Sequence, residues 1–235
     1  MTVMKRTALV AAGMVALAGC DYKAQPGPIE HLTKSIDLDK SELARVELKM
    51  GAGKLVVAGG SPRMMDADFD YDTPSWKPVV RYNSSSFRGD ISIEQPSNSS
   101  STNNITYTWD LRFNDKLPTD LVTSLGAGEA HMTLGSMNLR NVEVHIGVGE
   151  VELDLRGKPS HDYNVEIHGG IGQATVHLPN TVGIIASAAG GIGDIEIRGL
   201  EKQNGHWVNA SYEHSPVTIH VDVKGGIGQI TVVAE

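Results

Sequence analysis

The sequence predicts an all-β protein in which an N-terminal β region caps a repetitive, β-solenoid-like stack, and three observations carry that prediction. Gly-x-Gly recurs with its first glycine at Gly126, Gly147, Gly170, Gly191 and Gly226, at spacings of 21, 23, 21 and 35 residues, with an earlier relative at Gly51. Apolar residues alternate with polar ones on both sides of each glycine pair, which is the period of a strand with one face buried. No window shows a helical period.

Taken in order, the first residues "MTVMKRTALVAAGMVALAGC" place Lys5 and Arg6 before an apolar run that ends in small residues and a cysteine. The run is shorter than the roughly 20 residues a bilayer core needs, so residues 1–19 are expected to be a secretory signal. Leu17-Ala18-Gly19-Cys20 resembles the lipobox of bacterial lipoproteins, which implies lipidation at Cys20, and Asp21 resembles the residue that favours inner-membrane retention. The expected localisation is therefore exported and lipid-anchored to a bacterial membrane, facing the periplasm or the cell exterior. Cys20 is the only cysteine, so no intrachain disulfide is expected in a disulfide-permissive compartment. The 216 residues from Cys20 onward hold 18 Lys plus Arg against 28 acids, a formal charge of −10. That balance argues against nucleic acid and anionic headgroups as partners.

Residues 20–40 are polar with Pro26 and Pro28 and read as a tether. Residues 41–120 read as the N-terminal β region. Strand alternation begins at "ARVELKMGAGKLVVAGG" and returns at "MDADFDYD", "KPVVRY", "DISIEQ" and "ITYTWDLRF", with turn-rich and low-complexity segments between.

Residues 121–235 read as repeats of about 21 residues. After the glycines, Ala130, Val151, Ala174, Ile195 and Ile230 share one position, and Met132, Leu153, Val176, Ile197 and Val232 share the next inward one. Before them, Thr123, Val144, Ile167, Ala188 and Val223 form a column, as do Leu121, Val142, Val165, Ala186 and Val221. One coil cannot bury its apolar face alone, whereas stacked coils make continuous apolar columns. The pairs Gly126 and Gly128, Gly147 and Gly149, Gly170 and Gly172, Gly191 and Gly193, and Gly226 and Gly228 are read as structural corners where backbones stack closely. The inward period is expected to slip there by one, from Ile146 to Val148 and then Val151. Stacking in chain order would leave "QITVVAE" as the open end of the stack, a place for self-association.

The glycines do not suit a nucleotide cradle, because alternating strands such as "EVELDL" follow them rather than a helix start, and "GAGK" at 51–54 runs into Leu55, Val56 and Val57. Among outward positions, register stacking puts His145 beside His168 and Glu143 beside Glu166, a donor set suited to a divalent metal such as zinc. A solvated face is the preferred reading, and no metal or other cofactor is assigned. Thr133, Asp154, His177 and Arg198 form another outward column, with Asp154 and Arg198 flanking His177; Glu129, Glu150, Gln173, Asp194 and Gln229 form a third. Asp66, Asp68, Asp70 and Asp72 imitate a calcium loop, but the turning glycine is missing and Ala67, Phe69 and Tyr71 supply a strand's apolar face. Trp76, Trp109 and Trp207 read as core or loop anchors rather than a sugar groove. No nucleophile elbow or catalytic triad spacing stands out. A polysaccharide-cleaving acid pair, if present, would be sought among Glu143, Glu166 and Asp222.

Two segments, "VELKMGAGKLVVAGG…DADFDY…PVVRY…GDISIEQP" and "WDLRFNDKLPTDLVTSLGAGEAHMTLGSMNLRNVEVHIGVGEVELDL", resemble the toast-rack domain shared with LiaF-like proteins of the bacterial cell-wall-active-antibiotic response and related to adhesin-like proteins. The resemblance spans roughly Ser41 to Glu235. It implies a β-solenoid-like stack, structural glycines and no catalytic residues to carry over. LiaF-like members have membrane helices and modulate a sensor kinase; this chain departs from them in its expected lipid anchor. The reading is a non-enzymatic, membrane-anchored envelope module that binds an envelope protein or a cell-wall component and is linked to envelope stress. The alternatives are a structural adhesin or self-assembling scaffold, and third a polysaccharide-active enzyme.

Overall fold

The computed structural model describes residues 27–96 and 106–235. Cys20, the signal and lipobox around it, the start of the tether, and residues 97–105 of the low-complexity segment lie outside the described residues. Among the described residues the strands are β1 (Glu30–Ile36), β2 (Leu43–Ala58), β3 (Met65–Tyr71), β4 (Val79–Ser85), β5 (Arg88–Glu94), β6 (Tyr107–Phe113), β7 (Thr119–Thr133) and β8 (Leu139–Asp154). They continue as β9 (Tyr163–Leu178), β10 (Gly183–Ala189), β11 (Ile192–Arg198), β12 (Glu201–Gln203), β13 (His206–Val208), β14 (Thr218–Lys224) and β15 (Ile227–Ala234). A single 3-10 turn, Pro74–Trp76, is the only helical element among them.

The alternation that marks these segments as strands also decides how they stack. β2, β7, β8 and β9 are long parallel rungs that each pass through a Gly-x-Gly corner, so every rung has a limb before the glycines and a limb after them. In the last two rungs the limbs are separate strands, β14 with β15 and β10 with β11. The inner faces of both limbs line one core: Val46, Leu121, Val142, Val165 and Val221 from the first, and Leu55, Ala130, Val151, Ala174 and Ile230 from the second, are all at most 7 % exposed. Leu134, Met137, Leu155 and Leu178, buried in and beside the returning loops, close the third side. Outside the first rung, β5 pairs with the front half of β2 and β6 with its rear half, and β4 and the β3–β1 pair extend these two layers.

Three sequence expectations need correction. The 20–40 tether contains a strand, because β1 pairs antiparallel with β3 from Glu30↔Tyr71 to Ile36↔Met65. Its alternation is thin, with only Leu32 and Ile36 packed on the core, and its side chains find partners instead: Thr33 Oγ1 donates to Asp68 at 2.6 Å and the Tyr71 hydroxyl donates to Glu30 at 2.9 Å. Val148 does not face inward. It is 51 % exposed, while Ile146 and Val151 on either side of the glycines are buried.

The rungs also do not stack in chain order. β14 and β15 lie between β9 and the β10–β11 rung, so the Gly226 corner sits on Gly170 and the Gly191 corner sits on Gly226. The segment "GLEKQNGHWVNASYEHSP" makes this possible. It forms the β12–β13 hairpin, which pairs antiparallel along the outer edge of β10, and its length returns the chain one rung inward. Val233, not Arg198, therefore adjoins His177, and "QITVVAE" is enclosed between β9 and β11 rather than forming the open end.

In place of Arg198, His177 Nδ1 meets Glu235 at 3.1 Å, and Glu235 accepts from Arg156 at 2.6 Å. Hydrogen bonds from the Arg156 guanidinium hold the Asp154 carboxyl below the usual carboxylate range; the Ser61 hydroxyl and then Arg63 do the same for Asp66. A depressed folded-state pKa contributes stability above the unfolded value, about 3.9, and loses it as pH falls through the folded value. Stability is thus expected to be level in these groups above about pH 5 and to fall with acid below about pH 4. Asp154→Asn should flatten part of that acid limb in urea titrations run at successive pH values; an unchanged slope would mean that the pair forms equally well in the unfolded chain.

Candidate functional site

The middle residue of each Gly-x-Gly has glycine on both sides, and the second glycine turns the chain through φ of +134 to +145° from Gly53 to Gly228. That rotation aims the middle side chain out of the corner. Because the corners stack in register, Ala52, Ala127, Val148, Ile171, Ile227 and Ile192 form one column, each opposite the next. Val148, Ile171, Ile227 and Ile192 are 51, 51, 50 and 71 % exposed. With rungs about 4.8 Å apart, these four make a straight aliphatic ridge that grows from alanine near the cap to isoleucine at the far end.

Polar columns border the ridge. On the first limb run His145, His168 and Lys224, and on the second Glu129, Glu150, Gln173, Gln229 and Asp194. Exposed large apolar side chains are ordinary when scattered, whereas a contiguous row rimmed by polar groups marks an interaction surface. The sequence assigned Val148 to the core. The signal that could have placed it outside is the middle position itself, where no neighbouring Cβ competes for the outer face.

The histidine pair forms as the register requires. His145 and His168 stack with ring centroids 5.1 Å apart and planes 9° from parallel, and Glu143 stands beside Glu166. Each histidine, however, turns to the glutamate of its own rung: His145 Nε2 to Glu143 at 2.6 Å and His168 Nε2 to Glu166 at 3.7 Å. On the next rung Lys224 pairs with Asp222 at 3.2 Å, which sets an ammonium beside His168. Among the described residues no three histidine, cysteine or carboxylate side chains converge as a metal would need. Glu143, Glu166 and Asp222 lie side by side in one flat column, each with a basic neighbour on its own strand.

The other singled-out residues are structural. Asp66, Asp68 and Asp70 line the outer face of β3 and bind Arg63, Thr33 and His31 respectively, and Asp72 is buried and accepts the Thr106 N–H at 2.7 Å. Phe69 and Tyr71 between them are core. Trp109 and Trp76 are buried and meet Tyr107, and Trp207 sits half-buried on the hairpin with Lys202 Nζ 5.8 Å from its ring centroid. Every Gly-x-Gly joins strand to strand, so none forms a phosphate cradle. No helix among the described residues is long and apolar enough to cross a membrane.

A family model described as the N-terminal domain of toast_rack, DUF2154, matches residues 25–177. The crystal structure of a "putative cell adhesion protein" from Clostridium sporogenes superposes with a TM-score of 0.85 at 32 % identity, covering 88 % of this chain and 100 % of that one. A "putative adhesin" from Bacteroides fragilis covers 86 % of this chain and 97 % of its own at 11 % identity, with a TM-score of 0.29, an overlap too poor to bear on function. No curated protein matches the chain in sequence.

Proposed function

The chain belongs to the toast-rack family, and from that premise we propose that it is a non-enzymatic binding module of the cell envelope that docks an envelope protein on its aliphatic corner. The ridge Val148–Ile171–Ile227–Ile192 carries this reading: an exposed, straight, rigidly spaced apolar row with polar borders. Lipid attachment at Cys20 would hold the module at a membrane surface, where the partner is concentrated with it. The resemblance to LiaF-like proteins supports a partner in the envelope-stress or cell-wall response. The description of the Clostridium protein supports a second reading, an adhesin, in which the same ridge meets a surface outside the cell.

A photo-crosslinking residue at Ile171, compared in intact cells with one at Arg112 on the solvent side of the cap, tests this. The ridge probe should capture a discrete envelope protein that the cap probe does not, and Ile227→Glu in the same chain should remove the capture while the β signal persists. Equal capture at both positions, or capture indifferent to Ile227→Glu, would refute the ridge as the docking site.

A further inference from the structure

The core columns are buried in every rung but one. In the first inward column of the second limb, Ala130, Val151, Ala174 and Ile230 are 0, 0, 7 and 4 % exposed, whereas Ile195 on β11 is 44 % exposed. In the next, Met132, Leu153, Val176 and Val232 are at most 1 % exposed and Ile197 is only half-buried. β11 pairs with β15 on one side and with nothing on the other among the described residues, while the hairpin covers the neighbouring β10. The last limb thus presents a free strand edge and an uncovered end of the core together, a template for strand addition.

The geometry narrows what can be added. A parallel seventh rung would need its own glycines above Gly191 and Gly193, because a Cβ at the second glycine of successive corners falls 1.7–1.9 Å from the carbonyl oxygen of the rung beneath. The opposite end of another copy cannot supply such a rung. Its β2 is covered by β5 and β6, and Gln95 Oε1 takes up the N–H groups of Gly51 and Ala52 at 2.7 and 3.1 Å. Head-to-tail growth onto β2 is blocked, and the cap strands with a free side, β1 and β4, lack the glycines that a parallel rung needs, which favours antiparallel pairing.

β11 is complementary to itself, with no like-charge contact, in one antiparallel register. Its outward side chains are Asp194, Glu196 and Arg198, and Arg198 already reaches Glu196 of its own strand at 2.6 Å. Centred on Ile195, two copies would set Asp194 against Glu196, like against like, and centred on Glu196 they would pair Asp194 with Arg198 but set the two Glu196 carboxylates against each other. Centred on Ile197, each Glu196 faces the partner's Arg198 and Ile197 faces its equivalent, and the pairing ends there because the chain leaves the strand at Gly199, with φ of +71°. We infer that the free edge of β11 takes a second copy of this chain, antiparallel and tail to tail, giving a closed two-fold dimer rather than a fibre. This goes beyond the docking role of the corner, since Ile171 and Ile227 lie outside β11.

Sedimentation of the full chain in mild detergent, at concentrations up to about 0.5 mM because a short-strand interface is weak, tests this against charge reversal. The wild-type chain should reach a dimer and no larger species. Glu196→Arg alone and Arg198→Glu alone should each shift it to monomer, since both place like charges opposite, and the double exchange should restore the dimer. Both side chains are exposed, so circular dichroism should show the fold unaltered in all three. Ile197→Cys should give an oxidised homodimer linked at that residue, because antiparallel partners fall within disulfide reach. A wild-type chain that stays monomeric, a dimer indifferent to the single reversals, or assembly beyond two copies would overturn the inference. A monomeric result would leave corner capture at Ile171 unaffected, so the two readings fail separately.

Discussion

Gly149→Ala is expected to lower stability by about 4 kcal/mol, a large share of the 5–15 kcal/mol a domain of this kind holds. Two costs combine. Gly149 has φ of +140°, a conformation that costs an L residue on the order of 1–3 kcal/mol. The added Cβ would also lie 1.8 Å from the carbonyl oxygen of Gly128 and 2.9 Å from its carbon. That oxygen cannot swing away freely, because β7, which carries it, is laddered to β2 on one side and to β8 on the other. Relief means prising two rungs apart along the corner, an overpacking cost of about 1–3 kcal/mol. Gly60→Ala separates the two contributions. Gly60 also has positive φ, at +97°, but an added Cβ would meet nothing within 4 Å. In urea unfolding Gly60→Ala should show the backbone cost alone and Gly149→Ala clearly more; equal losses would mean that the rungs separate without penalty.

Trp109→Ala should cost about 3–5 kcal/mol, the usual range for deleting a buried indole. Trp109 is fully buried on β6, with Phe69 edge-on at 5.7 Å and 87° from β3, and Leu55 opposite it on β2. Tyr107 lies 5.9 Å away and fixes Trp76 through its hydroxyl, which donates to the Trp76 carbonyl at 2.8 Å. The indole therefore joins the cap layers to the first rung, and its loss leaves a cavity that strands paired on both sides cannot close. Calorimetry should show a fall of about 10 °C in Tm, with near-ultraviolet dichroism weakened, since 1 kcal/mol corresponds to roughly 2–4 °C in a chain of this size. Trp109→Phe should recover much of the loss. A Tm within about 2 °C of wild type for Trp109→Ala would show the cap to be only loosely coupled to the stack.

The parts of this architecture that were legible in the sequence are those set by local period. Alternation located the strands at "MDADFDYD", "KPVVRY", "DISIEQ" and "ITYTWDLRF", and the glycine columns gave the register that puts His145 on His168 and Glu129 beside Glu150. Alternation carries no information about which rung neighbours which. The columns of β11 and β15 read alike, so only the hairpin pairing along β10 and the enclosure of β15 by β9 reveal the exchange. The outward turn of Val148 was hidden for a different reason: its direction depends on the φ of Gly149, and composition does not record a dihedral. β1 was missed because its stability comes from polar partners on β3 rather than from an apolar face.

The exchanged rungs also bear on how the chain reaches this form. β10 and β11 are completed before β14 and β15 but have no rung to rest on until those later strands have occupied the edge of β9. The stack cannot grow by adding each coil as it emerges. Its last third must close in one non-local step, with β15 threaded between two strands that precede it, so the slow stage of folding belongs to this end of the molecule. Until that step the edge of β9 stays unpaired and open to improper partners, and a chain that emerges in sequence order is most vulnerable there.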